Sequence, residues 1–300
     1  MRVSYTPSYF VELPSEHPFP MGKFPAFKEI LEREGLIAAE DVVAPQEAAW
    51  DDLRLVHTSH YLEQLRTGSL SPAAERRMGL PWSQDLVRRS RIAVQGTVNA
   101  AAMALVDGMA ANLAGGTHHA FPDHAEGFCV LNDVAVAIRI LQGRGDVNRC
   151  LIVDLDVHQG NGTANLFADD DDIYTFSMHG ERNYPFEKEA SSLDVALPDG
   201  MGDDAYMDAL AENLHVALSA AKADIAFYLA GVDLLSGDRY GRLALTRAGI
   251  HRRDRHVLQQ LREVGMPICL LMSGGYAATP QETADLHAIV HREANHVHLH

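Results

Sequence analysis

The stretch LIVDLDVHQGNG, Leu151 to Gly162, opens as an apolar run and closes on Asp154, Asp156 and His158 at every second position before a Gly-Asn-Gly break. A short, uninterrupted apolar run is the mark of a strand buried on both faces, as in a parallel sheet. Period two would carry Asp154, Asp156 and His158 along one side of that strand as it ends. A buried carboxylate without a partner costs on the order of several kcal/mol, so the cluster needs an explanation. It reads either as a hydrogen-bonded strand end or as a metal site, with Asp156 and His158 as ligands and Asp154 behind them.

Similar runs lie on both sides: RVSYT near the start, ANLAGG, then IYTFSM, IAFYLAGVD and PICLLMSGG. Helical patterns separate most of them. FKEILEREGL is closed by Gly35 and HYLEQLRTG by Gly68, and four longer patterns run over Asp85–Val106, Val130–Gly143, Asp204–Lys222 and Thr246–Val264. This alternation predicts an α/β fold, a three-layer α/β/α arrangement with a mostly parallel central sheet, and one domain spanning 1–300. In such sheets ligands bind beyond the carboxyl ends of the strands. The runs end there in GGTHHA, DLDVHQGNG, SMHGERNYP, AGVD and MSGGY.

The chain has 300 residues, 47% hydrophobic and 22% charged, which is ordinary for a globular protein. Its formal net charge of −16 leaves no basic footprint for a nucleic-acid backbone. Cys129, Cys150 and Cys269 are too few and too scattered for a disulfide framework or a thiolate cage, and read as reduced core residues. MRVSYTPSYF lacks a charged leader before an apolar segment, and no apolar run approaches membrane-spanning length. The expectation is a cytoplasmic protein with neither nucleic-acid nor membrane partners; the sequence leaves the oligomeric state open.

A catalytic zinc site usually takes three protein ligands and keeps one position open. Asp233, closing IAFYLAGVD, supplies the third beside Asp156 and His158, and such a set also admits iron(II) or another divalent metal. His118 and His119 follow two glycines at another strand end, where paired imidazoles suit acid–base work beside a metal. Asp154 and Asn161 are the candidates to orient them. Tyr276, after Gly274 and Gly275, can donate to a developing oxyanion. Each feature alone has a bland reading as surface, turn or packing; their convergence on strand ends does not.

Taken in order, GGTHHA, GFCVLNDVAVA, DLDVHQGNGTA, SMHGERNYPF, AGVDLLSGDRYGRLALT and MSGGY resemble the histone deacetylase superfamily over nearly the full chain. QGNG, GLPWS and HPFP look most like its class IV branch and bacterial relatives. The resemblance implies an arginase/deacetylase-type domain that hydrolyses an N-acyl amine, usually acyl-lysine. Zn2+ would sit on Asp156, His158 and Asp233; His118 and His119 would be the acid–base pair; Tyr276 would polarise the acyl carbonyl. Phe128 and Tyr184 would wall a substrate tunnel with Gly127, Tyr240 would stand near its rim, and Asp154 would hold His118. Asp154, Asp156, His158, Ser177 and Met178 match the family's structural potassium site. Asn161 stands where class I members have an acid, and Lys23 where many have an arginine in the inner cavity. The loop with GLPWS offers no clear acid where some members clamp a peptide. Acyl-lysine of several chain lengths, an acetylpolyamine or another small acylated amine all fit as substrates. A two-manganese ureohydrolase and a silent acyl-lysine-binding module are rival readings, and the single metal set with its histidine pair and Tyr276 weighs against both.

Overall fold

Eight strands make up one sheet: β1 Val3–Ser4, β2 Val42–Val43, β3 Met109–Asn112, β4 Cys150–Asp154, β5 Ile173–Gly180, β6 Leu193–Leu197, β7 Ile225–Leu229 and β8 Ile268–Leu271. Their order is β2-β1-β3-β8-β7-β4-β5-β6, and every pair is parallel. The computed structural model describes residues 1–299. β4 and β7 are buried at every residue, which accounts for their unbroken apolar sequences.

Among the described residues ten α-helices accompany the strands, nine between them and α10 after the last: α1 Lys23–Arg33, α2 Trp50–Leu53, α3 Ser59–Thr67, α4 Pro72–Met78, α5 Gln84–Asp107, α6 Asp133–Arg144, α7 Asn161–Leu166, α8 Asp203–Ala221, α9 Arg247–Glu263 and α10 Pro280–Leu299. The longest helices pack in two groups, α5 with α6 and the chain α8–α9–α10–α1. Most boundaries expected from the sequence hold within a few residues because the caps are local. Ser83 Oγ accepts from Leu86 N to start α5 and Gly108, at φ 82°, closes it; Asn132 caps α6 and so delays its start. Among the described residues, no helix is long and apolar enough to cross a membrane.

The mostly parallel α/β sheet expected from the sequence is found, and every pair in it is parallel. Two particulars change. Neither edge strand was expected: β2 is only two residues long, and LDVAL of β6 is half-exposed, so neither has the solid apolar signature. The run from Cys150 also stops being strand at Asp154, so Asp156 and His158 do not share a strand face. Side chains take over the ladder: Asp154 Oδ1 accepts from Asp156 N at 3.1 Å, and Asp156 Oδ1 from His158 N at 3.0 Å. Such i-to-i+2 bonds compete with strand pairing and bend the chain.

The sheet order explains the site. β3, β8, β7 and β4 are consecutive neighbours, and because all run the same way their carboxyl ends lie side by side. The segments after them carry His118 and His119, Tyr276, Asp233, and Asp156 with His158.

Candidate metal centre and active site

Asp156, His158 and Asp233 are buried, and one ligand atom from each lies within 4.8 Å of the others. Asp156 is held by three donors: Ser273 Oγ and Gly274 N, each 2.7 Å from Oδ2, and His158 N, 3.0 Å from Oδ1, with the ring nitrogen Nδ1 of His158 also 3.0 Å from Oδ1. Asp233 Oδ1 accepts from Val157 N at 3.0 Å. Its Oδ2 is buried without a hydrogen bond and stands 3.2 Å from His158 Nδ1. An orphaned carboxylate oxygen aimed into a dry cluster is what a bound cation would satisfy. The backbone leaves room for one: a Cβ on Gly274 would lie 2.1 Å from Asp233 Oδ2 and 2.6 Å from Asp156 Oδ2. The electrostatics agree. Burial opposes charge on His158, but Asp156 and Asp233 outweigh it and raise the ring to about 10, so the cluster favours positive charge where a divalent ion would sit. Two carboxylates and an imidazole fit such an ion in borderline coordination.

The two histidines lie beside this cluster, ring centroids 4.1 Å apart, in unlike environments. His118 Nδ1 donates to Asp154 Oδ2 at 2.6 Å. Burial disfavours its charge, yet Asp154 and Asp156 prevail and lift it to about 9. His119 Nδ1 meets Asn161 Oδ1 at 2.7 Å. Burial, joined by repulsion from His118 and His158, holds His119 well below the ordinary histidine value. Titratable neighbours whose environments push them apart are how acid and base roles divide.

A cavity of about 510 Å³ opens above the pair, with His119, His158 and Tyr276 on its lining. Phe128 and Tyr184 form its walls, with Gly127 between His119 and Tyr184: a Cβ there would stand 2.6 Å from His119 Cδ2. Tyr240 is at the rim, its ring 4.9 Å from that of Tyr276. Phe128 and Ser273 have positive φ, 67° and 60°, which is strained for non-glycine residues and concentrates at functional sites. Phe128 keeps this backbone through its N–H to Met78 O at 2.9 Å, which ties the wall to the end of α4. The Tyr276 hydroxyl stays protonated, because burial and then Asp156 and Asp233 push its pKa well up. Below the tunnel, Lys23 is buried and lies 5.6 Å from the Tyr276 ring; burial brings it down to about 8.

Every candidate read from the sequence is therefore brought to one place, with Ser177 opposite Asp154 in the β4–β5 register and Met178 next to it. Three residues of the site were missed. Glu126 accepts from Asn161 Nδ2 at 3.0 Å and from the Tyr184 hydroxyl, so a carboxylate does stand behind His119, one amide further out. Asp238 accepts from the backbone N–H groups of Tyr276 at 2.7 Å and Tyr240 at 2.9 Å, fixing both aromatics. Arg253, buried in α9, donates to Gly231 O at 2.5 Å just beyond β7. An acid flanked by turn residues was the one available signal, and only for Glu126 and Asp238.

Such an arrangement defines a class: a parallel α/β protein with a candidate metal centre and a histidine pair at the floor of a tunnel. The chain belongs to the histone deacetylase family, whose Histone deacetylase domain matches residues 17–291. It is 48% identical over 298 residues to an uncharacterized protein of Picosynechococcus, covering 99% of both chains. It is 33% identical to histone deacetylase 2 of Arabidopsis thaliana, over 92% of this chain and 74% of that one. It is 30% identical to a histone deacetylase-like amidohydrolase of Pseudomonas aeruginosa, over 83% and 70%. The fold matches the crystal structure of the HDA15 HD domain with a TM-score of 0.78 at 24% identity, over 97% of this chain and 89% of that one. Membership in this family supports a deacetylase, a hydrolase acting on amides.

Proposed function

We propose that this protein is a zinc-dependent deacylase that removes an acyl group from the side-chain amine of lysine or from a related N-acyl amine. The carrying observation is that His119, Tyr276 and His158 of the Asp156–His158–Asp233 set share the lining of one tunnel. Asp156, His158 and Asp233 would hold the ion, which when bound polarises the acyl carbonyl and lowers the pKa of water.

The rest falls to the chain. Asn161 Oδ1 accepts the hydrogen bond of His119 Nδ1–H, which holds that proton on Nδ1 and leaves Nε2 of the neutral ring free to accept the proton of the attacking water. The Tyr276 hydroxyl donates to the oxygen that gains negative charge. His119 then returns the proton to the departing amine nitrogen, a step helped by the positive charge that Asp154 maintains on neighbouring His118. Free amine and carboxylate are the products. Phe128 and Tyr184 hold the acyl-bearing stem and exclude bulk water. A structural potassium ion at Asp154, Asp156, His158, Ser177 and Met178 is part of the same reading, supported by the register of β4 against β5.

The test is hydrolysis by the zinc-loaded protein across acyl-lysines of increasing chain length, with His119→Ala as control. At least one acyl chain should be released, and the control should lose about 10²–10⁴-fold in turnover. No release across the series from protein carrying one metal per chain would overturn the proposal.

A further inference from the structure

Five arginines, Arg76, Arg77, Arg182, Arg239 and Arg242, line the tunnel mouth, and no aspartate or glutamate lines it with them. Lys and Arg number only 25 in the chain against 41 Asp and Glu, with a net charge of −16, so the mouth runs against the charge of the chain as a whole. The five come from three places: the last turn of α4, the β5–β6 connection and the segment after Asp233. All five are exposed. Arg242 reaches Asp199 at 3.4 Å, but the other four make no ion pair among the described residues. Favourable placement near a helix carboxyl end would account for Arg76 and Arg77; it does not account for Arg182 and Arg239, which lie on loops.

Their backbones are fixed against the site. Gly127 N donates to Arg77 O at 3.2 Å, and Arg239 N to Tyr276 O at 3.3 Å. Four unpaired guanidinium groups are thus stationed around the mouth of a cavity whose walls, Phe128, Tyr184 and Tyr276, are aromatic. Guanidinium prefers carboxylate and phosphate partners and repels cationic ones. An acetylpolyamine, or acyl-lysine among basic residues, would set like charges against this ring.

We infer that the carrier of the acyl-lysine is acidic: the substrate is an acyl-lysine in a peptide segment with Asp or Glu on both flanks. The spread of the arginines over three segments fits several anionic groups around the tunnel axis better than a single carboxylate. This inference rests on the deacylase reading for its chemistry, but charge preference can be measured apart from turnover.

The test uses the full metal-loaded chain and acetyl-lysine peptides that differ only in carrying Glu, Ala or Arg on the flanks, with free Nε-acetyl-lysine as a small carrier. At low salt, kcat/KM should rank Glu over Ala over Arg, with about tenfold between the extremes, carried by KM; exposed charge pairs of modest strength add up to that. The gap should close near 1 M salt, where screening acts over about 3 Å. Dissociation constants from fluorescence anisotropy of labelled peptides should rank the same way. Joint Arg76→Glu, Arg77→Glu and Arg239→Glu substitution should reverse the order. Equal values for the three peptides, or a preference for Arg flanks, would overturn the inference while leaving deacylation intact. Faster hydrolysis of free Nε-acetyl-lysine than of every peptide would also overturn it. If nothing is hydrolysed the deacylase reading fails, and the anisotropy ranking still decides this one.

Discussion

Tyr276 and Glu126 show how differently single side chains serve this site. Tyr276 offers one hydroxyl, kept protonated by burial and by Asp156 and Asp233. Tyr276→Phe should leave metal content and melting temperature in place and lower turnover about 10²–10³-fold; a variant within twofold of the parent would remove Tyr276 from the oxyanion role. Glu126 works through others. Burial alone would raise its pKa, but hydrogen bonds from His124, Tyr184 and Asn161 bring it down to about 2, against an ordinary 4.5. A carboxyl with a depressed folded pKa adds stability above its unfolded pKa and loses it as pH falls toward the folded one. Glu126→Gln should therefore be less stable than the parent at neutral pH, and the difference should shrink as pH drops from about 4.5 toward 2. Urea midpoints measured over that range check it; a difference independent of pH would show that the charge contributes nothing.

At the scale of elements, the site depends on strand ends held in place by a helix. Arg253 of α9 donates to Asp254 Oδ1 at 2.8 Å and to Gly231 O beyond β7, with Leu155 O beyond β4 at 3.4 Å. Tyr228 of β7 donates its hydroxyl to the same carboxylate oxygen at 2.5 Å. Arg253 is therefore the buried cation that binds α9 to the two strands whose ends lead into the candidate metal ligands. Arg253→Met fills much of the space but leaves the Asp254 carboxylate buried without its partner. Breaking a buried pair from one side costs about 3–5 kcal/mol. Denaturant unfolding should register that loss, and a change below about 1 kcal/mol would mean the pair is dispensable.

For the molecule as a whole, the cluster of Asp156, His158 and Asp233 is a buried concentration of charge at the meeting of four strands. An ion that binds only the folded state stabilises by about 2.7 kcal/mol at a hundred times its dissociation constant. With about 2–4 °C per kcal/mol for large domains, stripping the metal with a chelator should lower the melting temperature by roughly 5 °C or more, and added Zn2+ should restore it. Superimposed melting curves for metal-loaded and stripped protein would contradict a metal at these residues.

The chain order of apolar runs and the polar or glycine cluster closing each one were enough to determine the α/β class and to single out Asp156, His158, Asp233, His118, His119 and Tyr276 as site candidates. Those signals are local: a buried strand must be apolar, and a polar residue at its end stands out. What the fold alone decided depends on pairs far apart in the chain. Glu126 meets Asn161 and Tyr184 from 35 and 58 positions away. Arg253 reaches Leu155 across 98 positions, and the arginines of the mouth gather from three segments. Such contacts leave no period or spacing to read, because they exist only once the parallel sheet has set the ends of β3, β8, β7 and β4 side by side. The bend that takes Asp156 and His158 off the strand belongs here too, since the side chains of Asp154 and Asp156 replace ladder bonds only when burial leaves their oxygens no water to bind.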